Sequence, residues 1–325
     1  MKQVVFSIVA GSLLVVGSCA KTGADVKAVI PGPPETSKVP QTEYDVTQLA
    51  YCALFESTPV VTLMQRQDYN ELSGIAAGMR NPGILYMHND NRNAPVIISN
   101  AAGDDLGKII LDGVTTVNPE DIRVGPGPEA GKTYIYYADI GDNNRSRAAV
   151  TVYRFEEPVL SNPAAGTEIH ISNIAKIVLK YPSATYNAET LLVDPVTKDI
   201  FIATKETNRS TLYRAAYPQS ETIVTTMEPV LTMRFFDSFT SGDISAHGKE
   251  ILLRNKSQVW YWPRNVAKSV AETLQTPPQM APYAGNEHQG EGIAFAYSGS
   301  SGYFTNTEIR DYTGAVSRLS FYKKK

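Results

Sequence analysis

Only two cysteines occur in the 325-residue chain, Cys19 and Cys52. A disulfide framework is therefore excluded, and the fold must stand on an apolar core. Histidine is scarce too, with four in all. There is no GxSxG, HExxH, phosphate-binding P-loop or CxxC pair. The hydrolases, zinc proteases, nucleotide-binding enzymes and thiol oxidoreductases that carry those signatures are thereby excluded. Charge of one sign does not dominate: the net charge is −3, and basic residues are scattered apart from Lys323-Lys324-Lys325. That is no footprint for nucleic acid. Helical 3.6-residue periodicity is hardly visible. After Cys19 no run is long and apolar enough to cross a bilayer.

The first residues do have a pattern. Lys2 supplies a charged start, 4–16 is a short apolar stretch, and small residues follow. This reads as a secretory signal. The segment Val16-Gly17-Ser18-Cys19 resembles the lipobox of bacterial lipoproteins. The resemblance implies cleavage before Cys19 and lipid on its thiol; the alternative is an ordinary signal peptide cut a little later. Ala20, not aspartate, follows, and in a Gram-negative cell that sorting pattern favours the outer membrane. The expected organisation is a signal peptide over 1–18, a lipidated Cys19 with a flexible tether over 19–57, and one folded domain over 58–325. The tether reading rests on its Pro-, Thr-, Ala- and Gly-rich composition. The chain is thus expected in the cell envelope, extracytoplasmic and held to the membrane by its lipid. Cys52 is expected to be buried or in the linker, without function.

Within 58–325 one short apolar strand recurs, each time introduced by an acid. It reads ELSGIAAG, PEDIRVGP, AETLLVDP, SGDISAHG and QGEGIAFA. Aligned on Ile75, Ile122, Leu191, Ile244 and Ile293, the spacings are 47, 69, 53 and 49 residues. Three of the four lie near the roughly 40–50 residues of a propeller blade. The long one holds an apparent insertion at 161–172. Each period offers β-branched or aromatic strands separated by turn signals, which is the grammar of an up-and-down blade. The fourth period ends in a poor strand candidate, and the fifth lacks its last strand. A spare strand, PVVTLM at 59–64, precedes the first period and can close the ring. The expected fold is all-β: a β-propeller of five blades of four antiparallel strands, closed by an N-terminal strand. Six blades are the alternative, with the long period split.

Blade topology explains the recurring acids. Strand a lines the central channel, and its beginning lies on the same face as the loops between strands b and c. Glu71, Glu120 with Asp121, Glu189, Asp243 and Glu291 are therefore expected at one mouth. The b–c loops add Asp90, Asp139, Asp142, Asn143, Lys205, Glu206, Arg254 and Glu308, with arginines such as Arg92, Arg145, Arg209 and Arg310. Carboxylates crowded in a partly desolvated channel repel one another and favour their protonated forms. Something positive must offset them: a loop arginine, Lys205 or a bound cation. Ca²⁺ suits the oxygen-rich set, with Glu120, Glu189, Glu291 and Asp142 as its expected ligands. Asp90, Asp139, Asn143, Lys205, Glu206, Arg254 and Glu308 are the expected ligand-binding groups. The same acids and arginines can equally tie blades together. His88, ending strand b of blade one, and His288, before strand a of blade five, are expected to meet near the rim as acid–base or metal-binding groups.

The phrases NPEDIRVGP, YADIGDNN, YNAETLLVDPVTKDIFIATKE and QGEGIAF resemble a family of exported bacterial propeller proteins labelled WD40-like. The resemblance implies the fold and no settled activity. More remotely, the EGIA phrase around Glu291 looks like the opening strand of esterase-like phytase and lactonase propellers, which implies a divalent metal near the channel axis. Two functions follow as expectations. One is a binding or scaffolding module whose acidic, cation-containing face meets a protein or small-molecule ligand. The other is a metal-dependent hydrolase of a phosphoester or lactone.

Overall fold

The computed structural model describes residues 38–325 apart from 235, 237, 286 and 298–300. The expected signal peptide, the lipidated Cys19 and the first part of the tether lie outside the described residues. From Val39 onward the chain forms one compact unit, and it is a five-bladed β-propeller. The six-blade alternative falls, because the long period contains a single blade with an insertion rather than two blades.

In each blade the innermost strand, a, is followed outward by b, c and d. Blade one comprises Leu72–Ala77, Ile84–Asn89, Val96–Asn100 and Lys108–Leu111. Blade two comprises Asp121–Pro126, Thr133–Asp139, Val150–Glu156 and Ala175–Lys180. Blade three comprises Ala188–Val193, Ile200–Thr204, Arg209–Ala215 and Glu228–Arg234. Blade four comprises Ser241–Ile244, Glu250–Arg254, Val259–Pro263 and a short Gln279–Ala281, which follows the capped helix Val270–Leu274. Blade five comprises Gln289–Phe295, Gly302–Glu308, Arg318–Lys323 and Val60–Leu63. The last of these pairs antiparallel with Arg318–Lys323, so the two ends of the domain are joined in one sheet. Apolar side chains on both faces of each sheet pack against the neighbouring blades, and the strand aromatics Tyr136, Tyr137, Trp260 and Trp262 are part of this core.

The outer edges receive more chain than the repeat foretells. The insertion supplies a strand, Glu168–Ile171, that pairs parallel with the outermost strand of blade one. Thr225–Thr226, between strands c and d of blade three, adds to blade two in the same way. The described part of the expected tether, 38–57, lies along the other edges. Gln41 bridges to Thr232 of blade three, Tyr51 to Met280 of blade four, and Phe55 to Lys324 after blade five. Cys52 and Phe55 are completely buried in this strap, and the Phe55 ring packs edge-on against Tyr261 and Tyr303. Edge N–H and C=O groups that would otherwise offer a template for foreign strands are thus covered.

On the channel axis stands Arg123, 1% exposed. Its Nε donates to the carbonyl of Leu191 in blade three (3.0 Å). Its Nη1 donates to those of Ile75 in blade one (2.6 Å) and Ile293 in blade five (3.0 Å). Its Nη2 donates to Asp121 in its own blade (2.6 and 2.7 Å) and to Ser241 Oγ in blade four. One side chain therefore bonds to all five blades. Replacing it by Leu removes the guanidinium donor from three axial carbonyls and leaves the Asp121 carboxylate buried without its countercharge. Removing one partner of a buried ion pair costs about 3–5 kcal/mol. Arg123→Leu should lower the urea midpoint accordingly, and the double variant Arg123→Leu/Asp121→Leu should recover part of the loss. An unchanged midpoint in the single variant would refute the axial role.

Candidate functional site

The glutamates two residues before the strand anchors, Glu120, Glu189 and Glu291, come from blades two, three and five and are 3%, 6% and 7% exposed. Local backbone irregularity sets two of them. The strand pairing shifts register between Ala188 and Thr190 and between Gly290 and Ile293. A bulge at that place re-aims a side chain. The glycines of QGEGIAF serve the same end: a Cβ on Gly290 would lie 1.6 Å from Arg254 Nη2, and one on Gly292 2.3 Å from the carbonyl of Ser73. In blades one and four the equivalent positions are Ser73 and Gly242, so the ring of acids has three members rather than five.

Among these carboxyls sits the ammonium of Lys205, from the b–c hairpin of blade three, hydrogen-bonded to Glu189, and the exposed Lys256 acts on Glu189 and Glu291 from outside. Burial pushes all three carboxyls upward. For Glu120 the charges of Glu189, Asp90 and Glu291 add to the effect, and Lys205 opposes it. Glu189 is raised by burial and pulled back by Lys205. Glu291 is pushed up to about 8, by burial first and by Glu189 second. Burial works against the Lys205 cation, but Glu189, Glu291 and Glu120 outweigh it and hold its pKa above the ordinary lysine value. Asp90 is raised by burial and by Glu71 and joins the same field. Glu189 Oε2 is buried without a hydrogen-bond partner.

The other expected residues divide differently. Arg254 is fully buried and staples blade four to blade five through Glu287 (2.7 Å) and the carbonyls of Gly292 and Asn306. It is closed to a ligand, because the polar atoms of the b–c turn and of blade five already enclose its guanidinium. Asp139 accepts from the N–H groups of Val117 and Asn118 and pairs with Arg147. Both oxygens of Asp142 accept loop N–H groups, from Ser146 and Arg147. Asn143 Oδ1 accepts from Asn187. Glu206 is bonded to Thr204, Thr211 and Arg209. Glu308 bonds Gln289 and Arg310, and Glu71 is held by Arg310 and Asn91. Asp243 belongs to the opposite mouth, in a small cavity with Val124, Val193, Ile244 and Phe295.

The two histidines face different neighbours. His88 is completely buried, edge-on to Tyr137 of blade two, with Nδ1 against the carbonyl of Asn89 (3.0 Å). Burial lowers its pKa to about 4, and Nε2 has no partner among the described residues. His288 is exposed and stacks on Tyr312. The expected meeting of the two is absent from their contacts among the described residues. Asp121, expected with Glu120 among the acids of the mouth, turns instead to Arg123 and the N–H of Leu191, and Arg123 has no counterpart among the expected site residues. The signal available was a lone arginine inside an otherwise apolar innermost strand.

Calcium can be tested against this donor set. Among the described residues no three His, Cys, Asp or Glu side chains are grouped closely enough to hold an ion. Lys205 supplies the positive charge that the carboxyls demand. As arranged, the set does not fit a calcium ion unless the ammonium moves aside.

The fold and mouth define a five-bladed β-propeller with a desolvated acidic face. No family model matches the chain, and no curated protein matches it. Among solved structures it is similar to a luciferin-regenerating enzyme, with 9% identity, a TM-score of 0.45, and coverage of 82% of this chain and 95% of that one.

A carboxyl raised in the folded state favours folding at pH values below its unfolded value. For Glu291 that advantage is fully present below about 4.5 and is lost as pH rises through about 8. His88 has the opposite sign: its contribution is present above about 6.5 and is lost as pH falls toward 4. Glu291→Gln, which keeps the shape of the protonated acid, should therefore raise the melting temperature in metal-free buffer. The gain should grow between pH 6.5 and 8, where His88 is silent. A pH-independent difference would show that Glu291 is not titrating in the fold.

Proposed function

We propose that the protein is a binding module of the cell envelope, anchored through lipid on Cys19, whose acidic mouth receives a cationic group. The observation that carries the reading is the imbalance of buried charge among the described residues: Glu120, Glu189 and Glu291, with Asp90 close by, against the buried ammonium of Lys205, with the exposed Lys256 acting only from outside. An external cation relieves the repulsion that otherwise protonates these acids. A divalent ion such as Ca²⁺ is one such occupant; to bind, it would have to displace the Lys205 ammonium from Glu189 and draw the carboxylates closer together. An ammonium or guanidinium group of a protein or small-molecule ligand meets the same demand.

A second reading is a hydrolase of a phosphoester or lactone. It is favoured by one observation: Glu291, pushed up to about 8, stands in the field of Glu189, whose charge Lys205 stabilises. A proton donor and a proton acceptor in one mouth are what general acid–base chemistry requires. His88 is unsuited to the task, being closed in against Tyr137.

Calcium titration of the metal-free protein separates these readings. The binding reading expects saturable Ca²⁺ uptake, weakened at least tenfold in Glu291→Gln and strengthened in Lys205→Met, where the competing ammonium is gone. Uptake unaffected by either change would place the ion elsewhere and overturn the reading of the mouth. Turnover of a phosphoester or lactone that vanishes in Glu291→Gln would decide for the hydrolase.

A further inference from the structure

The face opposite the acidic mouth carries a contiguous apolar patch where blades three and four meet. Val196, in the a–b turn of blade three, is 50% exposed, and Val266, in the c–d loop of blade four, is 41% exposed. The a–b turns reach this face, since Pro195 and Ala246 line the cavity at the lower mouth. Gly248, in the a–b turn of blade four, joins the two valines. A Cβ there would lie 2.7 Å from Val196, 3.5 Å from Pro195 and 3.6 Å from Val266. Pro195, Val196 and Val266 thus form one surface.

Two lysines flank it. Lys249 follows Gly248, and its carbonyl accepts from Arg264 N–H (2.7 Å). Lys268 closes the turn that presents Val266, its N–H donating to the carbonyl of Asn265 (2.8 Å). Both lysines are exposed, and neither makes an ion pair among the described residues. The acids nearby are engaged. Asp194 holds Arg264 through both oxygens (2.8 Å each) and accepts from Val196 N–H (3.0 Å). Asp199 holds Arg214. Glu272, whose field reaches Lys268, is bound in the capping box with Ser269. The chain before the domain departs from this same face. Gln41 pairs parallel with Thr232, and strand d of blade three, Glu228–Arg234, runs from this face toward the mouth. Lys38 therefore stands at the lower end of blade three, so a lipid on Cys19 holds the domain from this side.

We infer that this patch is the surface on which the domain rests against a bilayer containing anionic phospholipid, with the acidic mouth turned away from the membrane. Exposed apolar side chains enter the headgroup boundary, and lysines beside them lay their stems on it and keep their ammonium groups at the phosphates. An anionic surface repels the acidic mouth, so charge favours the same orientation. The inference rests on the reading of a lipid-anchored module and deepens it, because an anchor alone does not fix which way the mouth points.

The test sediments the compact unit Val39–Lys325, which lacks the anchor, with vesicles of phosphatidylcholine alone or with added phosphatidylglycerol, at low salt. Partition onto the phosphatidylglycerol vesicles only is expected. Lys249→Gln and Lys268→Gln should each lower the partition coefficient about fivefold. Val196→Ser, which removes apolar contact, should lower it about as much. Arg92→Gln makes the same change of charge at an exposed residue of the mouth face and should leave it unaltered. Melting curves would confirm that the variants fold. No partition onto anionic vesicles, partition equal on both kinds, or a loss as large in Arg92→Gln overturns the inference. Lipid on Cys19 is read separately, from the intact mass of the mature chain, so failure of the anchor and failure of the patch are distinguishable.

Discussion

The ring depends on the guanidinium of Arg123. Five innermost strands stand about an axis, and backbone carbonyls of blades one, three and five turn inward to the buried Arg123. A buried carbonyl without a donor is costly. Arg123 meets the carbonyls of Ile75, Leu191 and Ile293 and the side chains of Asp121 and Ser241. It thereby uses a flat, five-donor group where an odd number of blades leaves no symmetric solution. The charge is costly to bury, and Asp121 offsets it at 2.6 Å. That carboxyl is itself pushed up to about 7 by burial, with Arg123 pulling the other way. It also accepts from Leu191 N–H (2.9 Å), so the pair ties all five blades into one polar knot.

The knot separates the two ends of the channel. Above it the three glutamates share Lys205; below it lies a small cavity in which Asp243 accepts from Phe295 N–H. A ligand at one mouth is therefore walled off from the other by protein atoms. Two further buried ion pairs, Arg254 with Glu287 and Arg264 with Asp194, join blade four to its neighbours. Buried pairs of this kind contribute little net stability against apolar replacements. What they specify is which blade faces which, in a fold whose blades otherwise resemble one another.

Much of this was legible in the sequence, because blade grammar is local. Alternating β-branched and aromatic runs with turn signals located each of the five innermost strands, and the spare strand at Val60–Leu63 closes the ring as its position implied. The strap was not legible. Its composition is that of a linker, and it docks through single anchors, Tyr44, Cys52 and Phe55, joined by isolated bridges rather than a periodic pattern. The insertion was visible as extra chain, but nothing local tells that Glu168–Ile171 would pair with blade one. At the mouth a single residue of offset decided the outcome. Glu120, Glu189 and Glu291 stand two before the anchor and share the upper field. Asp121 and Asp243 stand one before it, and they bond Arg123 and the backbone of the next blade instead. Arg254 read as a rim arginine because it ends strand b, yet long-range packing of blade five encloses it.

The hairpin 204–209 carries the remaining consequence. Lys205 reaches the acidic mouth, and Arg209, four residues on, pairs with Glu206. Between them Glu206 is bonded to Thr204, Thr211 and Arg209, so the hairpin is braced from both strands. Ser210 Oγ donates to the carbonyl of Thr204 and Thr211 N–H to its hydroxyl, which adds two more struts. A backbone so held transmits little displacement. An occupant of the mouth therefore acts on this hairpin chiefly through its charge, first of all on the Lys205 ammonium. Electrostatic coupling across an exposed surface is screened within about 10 Å at 0.1 M salt. A cation that competes with Lys205 for Glu189 should accordingly be held more tightly at low ionic strength, and the preference should fade as salt is added.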